Sequence, residues 1–299
     1  MFISKKDQKL VSDALQMKGR SLWQDAWFRF KHNQAAMVSV FLLTMIIIFS
    51  IIVPMIAPHD YVVSNWDYVL SPPSIEKGYW MGSDALGRDV LVRVAVGGRI
   101  SLLIGILGAL MAVTVGTIYG AISGFLGGVV DTIMMRIVDI INAFPFMFFV
   151  ILLITMFGRR IEFIFIAIGL FSWADVARIV RGQTLSLVQK EFIDAAFVIG
   201  LKNRQIIFRH IIPNVLGIVV IYASLMVPSM ILFESFLSFL GLGVQEPMTS
   251  WGVLLQEGAQ NMQVALWQLF FPGLFLITTL FSFNFIGDGL RDALDPKYR

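Results

Sequence analysis

Long apolar runs constrain this chain more than any other feature. Residues 35–57, which include FLLTMIIIFSIIVPMIA, carry no charged side chain. A helix needs about 20 mostly apolar residues to cross the hydrocarbon layer of a bilayer. Five further candidates follow: Ile100 to about Gly120, about Val138 to Phe157, a run from Ile161, about Val215 to Leu240, and about Val264 to Phe285. The third candidate contains Asp139, Asn142 and Pro145. The run from Ile161 loses its apolar character after Trp173, about 13 residues on and short of a full span. It is expected to continue as an amphipathic helix through Asp175, Arg178 and Arg181. Composition agrees with a membrane protein. Hydrophobic residues make up 57% and charged residues 14%, at a mean hydropathy of +0.79, against roughly 25% charged in a soluble domain. A soluble chain of 299 residues with this composition lacks the polar residues to cover its surface.

The chain has no cysteine, which excludes disulfides, thiolate metal sites and cysteine nucleophiles. A net charge of +3 gives no sign of a nucleic-acid partner. The positions of the cations say more. Most of the 23 lysines and arginines fall in 1–34, 174–214 and 286–299, with Arg136 between spans. Fewer fall in 58–99, and Arg159 and Arg160 stand on the minority side. Cytoplasmic loops carry the cationic excess, so both termini are expected in the cytoplasm. The polar start is too long for a cleavable signal peptide, and the apolar run after it is a full span. Leu22, Trp23, Ala26, Trp27 and Phe30 recur at helical spacing beside Arg29 and Lys31, which predicts an interfacial helix; a solvated basic tail is the alternative. The expected organisation is a basic tail over 1–34, a first span and outer loop over 35–99, a core over 100–290 with a long loop at 174–214, and a tail over 291–299.

Gly108, Ala112, Gly116, Gly120 and Gly124 form one small-residue stripe on a helix. Lipid offers little hydrophobic drive for helix pairing, so close backbone approach has to supply the contact. Another helix is expected to pack there, ahead of any role in lining a pathway. In 174–214, Phe192, Ala195, Ala196 and Ile199 recur at helical spacing. Gly200 suits the left-handed residue that ends a helix. Ile206, Ile207 and Phe208 begin a second short helix, and Pro213 is expected to close the unit. A helix–glycine–helix pair projecting from a membrane domain is a rigid knob. Docking, or a loop that only holds positive charge inside, are both compatible with it. Glu234 lies within an apolar run, where ionisable groups face the protein interior or water. It either lines a path, with Ser235, or hydrogen-bonds a neighbouring helix. Pro228 is expected to kink its helix. Asp139 and Arg136 are expected to pair along one helix, as are Asn284 and Asp288.

Asp194-Ala195-Ala196, Gly200 and Ile212-Pro213 have the spacing of the EAA loop of ATP-binding-cassette (ABC) importer permeases, which this chain resembles. Asp194 stands where Glu is usual, and His210 where Ile is frequent. MGSDALGRDV (Met81 to Val90), ESFLSFLGLG (Glu234 to Gly243) with Ser250-Trp251-Gly252, and NFIGDGLRDALDPK (Asn284 to Lys297) resemble the oligopeptide, dipeptide and nickel branch. The resemblance runs from about Trp80 to the C-terminus. Gln245-Glu246-Pro247-Met248 differs from the Pro-Pro form of dipeptide and nickel relatives and favours the oligopeptide group.

The resemblance implies an all-α polytopic membrane protein of about six transmembrane helices, type I ABC importer permease-like, in a bacterial inner membrane. It implies a second permease subunit, two ATPase subunits that bind ATP and Mg, a periplasmic or extracellular peptide-binding protein, a peptide substrate and membrane lipid. It assigns Asp194, Ala195, Ala196, Gly200, Leu201 and Arg209 to ATPase coupling, with phospholipid headgroups as the alternative partner of Arg209. Glu246 and Trp251 are candidates for binding-protein docking, and Gly82 and Gly87 for turns in the MGSDALGRDV segment, where Arg88 pairs with Asp84 or Asp89. The chain has no G-x-x-x-x-G-K-[ST] phosphate loop and no H-E-x-x-H metal motif, so no catalytic or metal site and no cofactor of its own are expected. Three rival readings remain. A secondary transporter would need mid-span ion sites and an internal repeat. A membrane hydrolase would need a nucleophile–base pair or a metal, and His32, His59 and His210 all lie outside the spans. A scaffold that only holds the ATPases would not respond to peptide.

Overall fold

The computed structural model describes residues 22–158 and 161–294. The basic tail to residue 21, Arg159, Arg160 and the closing stretch from Asp295 lie outside the described residues. The regular structure of the described residues is helical, with two isolated bridge pairs, Ser74 with Tyr79 and Ser83 with Asp89. Helix α1 (Leu22–His32) leads into α2 (Gln34–Ile56), whose N-terminus is capped by the Asn33 side chain. The buried Ala26 and Phe30 of α1 pack with Ala36 and Ala293, while Trp27 and Phe28 are exposed, as an interfacial helix requires.

Helix α3 (Val90–Leu126) begins well before the expected Ile100. Its 37 residues give a length of about 55 Å, more than a bilayer core needs. Arg93 and Arg99 make 90–99 read as a loop, but both find partners. Arg93 joins Asp84 and Glu257, and Arg99 donates to the carbonyls of Ser50 and Ile51 at 2.6 Å. The helix therefore continues to its cap at Asp89.

The third candidate span is two helices, α4 (Gly128–Ala143) and α5 (Phe146–Phe157), bent by 79°. Pro145 causes the break. The residue before a proline is driven out of the helical region, and Phe144 is extended at φ −81°, ψ 129°. Helix α6 (Ile161–Val188) is apolar at first and then carries Asp175, Arg178 and Arg181. The short α7 (Glu191–Val198) and α8 (Asn203–Ile206) follow. A π-helical turn, Ile207–Ile211, runs directly into α9 (Ile212–Phe239). Pro213 therefore opens α9 instead of closing the short-helix unit: a missing N–H is harmless in the first turn of a helix. Helix α10 (Trp251–Gln260) stands on a Ser250 cap, and α11 (Trp267–Leu294) ends the described chain. Four stretches (α2, α3, Asn203–Phe239 and α11) are long and apolar enough to cross a membrane, and the bent pair α4–α5 makes a fifth.

Helix α3 is the centre of the bundle. Its small-residue stripe packs mainly on α6, within this chain. A Cβ on Gly116 would lie 2.6 Å from the Trp173 carbonyl oxygen, one on Gly120 2.4 Å from that of Ala177, and one on Gly124 2.8 Å from that of Arg181. Higher up, Gly105 lies against Ile231 and Gly108 against Met230 of α9. The contact is backbone against backbone, the form of pairing that lipid surroundings favour.

Candidate functional site

Two constructions stand at opposite ends of α3. The first is the elbow between α6 and α9. Helix α7 ends in a Schellman motif: the Leu201 N–H donates to Ala196 O at 3.1 Å and the Gly200 N–H to Phe197 O at 2.9 Å, with Gly200 at φ +85°. Ile193 and Ala196 are buried in one cluster with Ile206, Ile207, Ile211 and Val215, and with Ala121, Phe125, Val176 and Val180 from the C-terminal halves of α3 and α6. The Phe125 and Phe197 rings stack at 5.9 Å. The elbow is thus set rigidly on the two most closely paired helices of the bundle.

Its other face is open. Asp194, Ala195, Gly200 and Arg209 are exposed and Leu201 is half-buried, whereas Ala196 is part of the seat. Ala196 is therefore unavailable for outside contact, because the turn of α7 that carries Ile193 inward carries it too. Sequence reading missed the strongest surface feature here. Phe192, Phe197, Val198 and Ile199 are exposed, Val198 by 88% and Ile199 by 77%. The apolar spacing of α7 is legible in sequence, but it does not tell which of two apolar faces turns inward.

The second construction is an ionic cluster built from the MGSDALGRDV segment. Gly82 and Gly87 turn the chain at φ +78° and +74°, and a Cβ on Gly87 would fall 1.7 Å from the Asn65 carbonyl oxygen. The turn aims Asp84 inward. Its Oδ1 accepts from the Leu86 and Arg88 backbone, and its Oδ2 accepts from Arg88 Nε and Arg93 Nη1, both at 2.6 Å. Arg93 also forks onto Glu257, and Arg88 Nη1 meets Glu246 at 2.7 Å. Arg88 thus pairs with Asp84, not Asp89. Burial works against the Arg88 charge, but the hydrogen bonds to Glu246 and Asp84 outweigh it and hold the guanidinium above its usual value. Asp89 caps α3 and bonds His59 at 3.1 Å; burial, more than these bonds, sets its carboxyl above the ordinary range.

Next to this cluster the ESFLSFLGLG and Ser-Trp-Gly segments lock together. Glu234 is fully buried, accepting from Ser238 Oγ at 2.7 Å and Ser101 Oγ at 3.0 Å. Ser250 reaches Ser238, and Trp251 donates its N–H to Ser101 and its ring N–H to Val94 O. A Cβ on Gly252 would lie 2.5 Å from Ser235 Cα. Of the two readings of Glu234, bonding to neighbouring helices is the observed one. Neither Glu234 nor the buried Ser235 presents to a passage. Trp251 is 0% exposed, so it cannot dock a partner; its ring is packing for α3 and α10. Glu246 does remain on the surface, with its side chain 61% exposed. Two further pairings differ from expectation. Asp139 binds Arg178 at 2.7 Å rather than Arg136, since α4 lies against α6 and offers it that cation. Asn284 and Asp288 are both exposed, and no bond joins them.

Residues 112–299 match the family model of the binding-protein-dependent transport system inner membrane component. Residues 21–73 match that of the N-terminal TM domain of oligopeptide transport permease C. The chain is 61% identical over 287 residues, 96% of its length and 92% of the relative's, to an oligopeptide transport system permease protein OppC of Haemophilus influenzae. It is 60% identical, with full coverage of both chains, to the protein of that name in Escherichia coli K12. It is 40% identical to a dipeptide transport system permease protein DppC of Bacillus subtilis, over 100% of this chain and 93% of the relative.

Proposed function

Because the chain belongs to the family of inner membrane components of binding-protein-dependent transport systems, we propose that it is one of two membrane subunits of an ABC importer for oligopeptides. Its higher identity to oligopeptide than to dipeptide permeases favours the longer substrate. The observation that carries the coupling role is the elbow: an exposed apolar cap of Phe192, Val198 and Ile199 on a seat packed against α3 and α6. Exposed apolar residues grouped on a rigid projection fit a protein groove.

In this reading both termini are cytoplasmic and the elbow sits in one of two partner ATPases, which bind the ATP and Mg. Asp194, Ala195, Gly200, Leu201 and Arg209 surround the apolar cap and contact the same groove. Closure of the ATPases moves the elbow, and the buried seat passes that motion to α3 and α6. The cavity shared with a second permease subunit then changes the side to which it opens; ATP shifts this equilibrium only through contacts that differ between the two states. An external binding protein delivers peptide at the opposite face, where Glu246 is available to meet it.

Val198→Asp tests this reading. Val198 contributes little to the chain's own packing, so the variant should fold and reach the membrane. It should fail to retain the ATPase subunits on purification and should lose peptide uptake. Normal retention and uptake would overturn the coupling role. Cross-linking from Val198→Cys to an ATPase subunit is the positive counterpart, unambiguous because the chain has no other cysteine.

A further inference from the structure

Helices α4 and α6 expose a band of polar residues that neither the elbow nor the ionic cluster uses. The Asp139–Arg178 pair is 2.7 Å long with side chains 51% and 45% exposed. Beside it, Asn142 donates to Asp175 at 3.2 Å, again exposed. Along α6 the band continues through Gly182, where an added Cβ would meet nothing within 4 Å, to the exposed Ser186. Helix α4 divides its exposed surface: Arg136, Asp139 and Asn142 lie on one side, Val130, Ile133 and Ile137 on the other.

Depth makes this band informative. The 12 residues of α5 place the break at Phe144 about 18 Å from the far end of that helix. Asp175 lies about 21 Å along α6 from its start. With the α5–α6 turn taken as the outer edge of the bilayer, both distances fall within a hydrocarbon core about 30 Å thick, and tilt only brings the groups nearer its middle. Lipid does not accept exposed charges there. Nor does it accept the exposed, non-helical backbone of Phe144 and Pro145. Both are tolerated where they line water or meet another protein chain; the mixture of both charge signs with the open space beside Gly182 favours water. On its outer side the band meets packed rings: Phe146 lies 5.3 Å from Phe171 and 5.2 Å from Phe233.

The geometry points to the α4–α6 polar face as the wall of the inner, water-filled half of the peptide passage. This rests on the transporter reading above. Carboxylates and a guanidinium side by side suit an occupant with an ammonium, a carboxylate and repeated amides, which is a peptide main chain. The Phe146–Phe171–Phe233 group bounds the water on the outer side.

Single cysteines at Asn142, Gly182 and the exposed α5 residue Leu152 test this in the whole transporter, using inside-out vesicles and a membrane-impermeant methanethiosulfonate. Only a hydrated thiol ionises and reacts, so Asn142→Cys should be modified at least about tenfold faster than Leu152→Cys, with Gly182→Cys, about 31 Å along α6 and past the core, as the freely reactive reference. Peptide supplied with its binding protein during ATP turnover should slow the Asn142→Cys reaction. Labelling of Asn142→Cys no faster than Leu152→Cys would overturn the water-lined wall, and fast labelling indifferent to peptide would overturn the peptide contact. Failure of the cysteine-free parent to take up peptide would instead count against the transporter reading itself.

Discussion

Replacing single glycines of the α3 stripe by alanine separates backbone contact from mere smallness. At Gly120 the new methyl would sit 2.4 Å from the Ala177 carbonyl oxygen and 3.0 Å from the Arg181 nitrogen. Both are backbone atoms of α6, so no side chain can swing aside, and relief requires α3 and α6 to part by about 1 Å. Inserting a methyl into a full contact costs about 1–3 kcal/mol. At Gly108 the nearest atoms belong to the flexible Met230 side chain at 3.5–3.7 Å, an ordinary contact. There alanine should be neutral or gain up to about 1 kcal/mol from helix propensity. Thermal midpoints of the purified complex in nanodiscs, taken at one scan rate, should fall for Gly120→Ala by several degrees and hold for Gly108→Ala. Because α6 leads into the elbow, Gly120→Ala should also weaken peptide-stimulated ATP hydrolysis. Equal midpoints for the two variants would refute the view that this stripe works through backbone approach to α6.

The ionic cluster should be asymmetric in its tolerance. Arg93→Met strips a 2%-exposed cation from Asp84 and Glu257 and should cost about 3–5 kcal/mol, whereas Glu246→Gln, at an exposed site, should cost no more than about 1 kcal/mol; unfolding of the two variants in parallel checks the order. Asp89, whose carboxyl is raised by burial, holds its proton more tightly folded than unfolded. Its contribution to stability should therefore fall as pH rises from the ordinary carboxylate value through the raised one. Asp89→Asn, which keeps a cap acceptor, should remove that slope from a plot of midpoint against pH. A cysteine at Val198 should react with an impermeant reagent only from the cytoplasmic side; reaction only from the other side would reverse the proposed orientation.

Much of the plan could be read from residue order alone. A bilayer is a one-dimensional solvent for a helix, so an apolar run such as 35–57 declares itself without knowledge of its neighbours. The left-handed turn at Gly200 and the helix stop before it were equally local, since the Schellman bonds span only a few residues. The four motif segments, in that order, carried the resemblance to the family that the comparisons then showed.

Tertiary structure decided what these local facts meant. Apolarity by itself does not say which side of a helix meets another helix; shape does, inside the membrane and outside it. Hence Ala196 is buried while Phe192 and Ile199 are free, and Trp251, read as a docking residue, became core. Partner choice in ion pairs was hidden too. Arg93 finds Glu257 far along the chain, and Asp139 turns from Arg136 on its own helix to Arg178 on another. Spacing along one helix limits which charges can meet, but the energy of a pair depends on distance and burial, and only the folded bundle sets both.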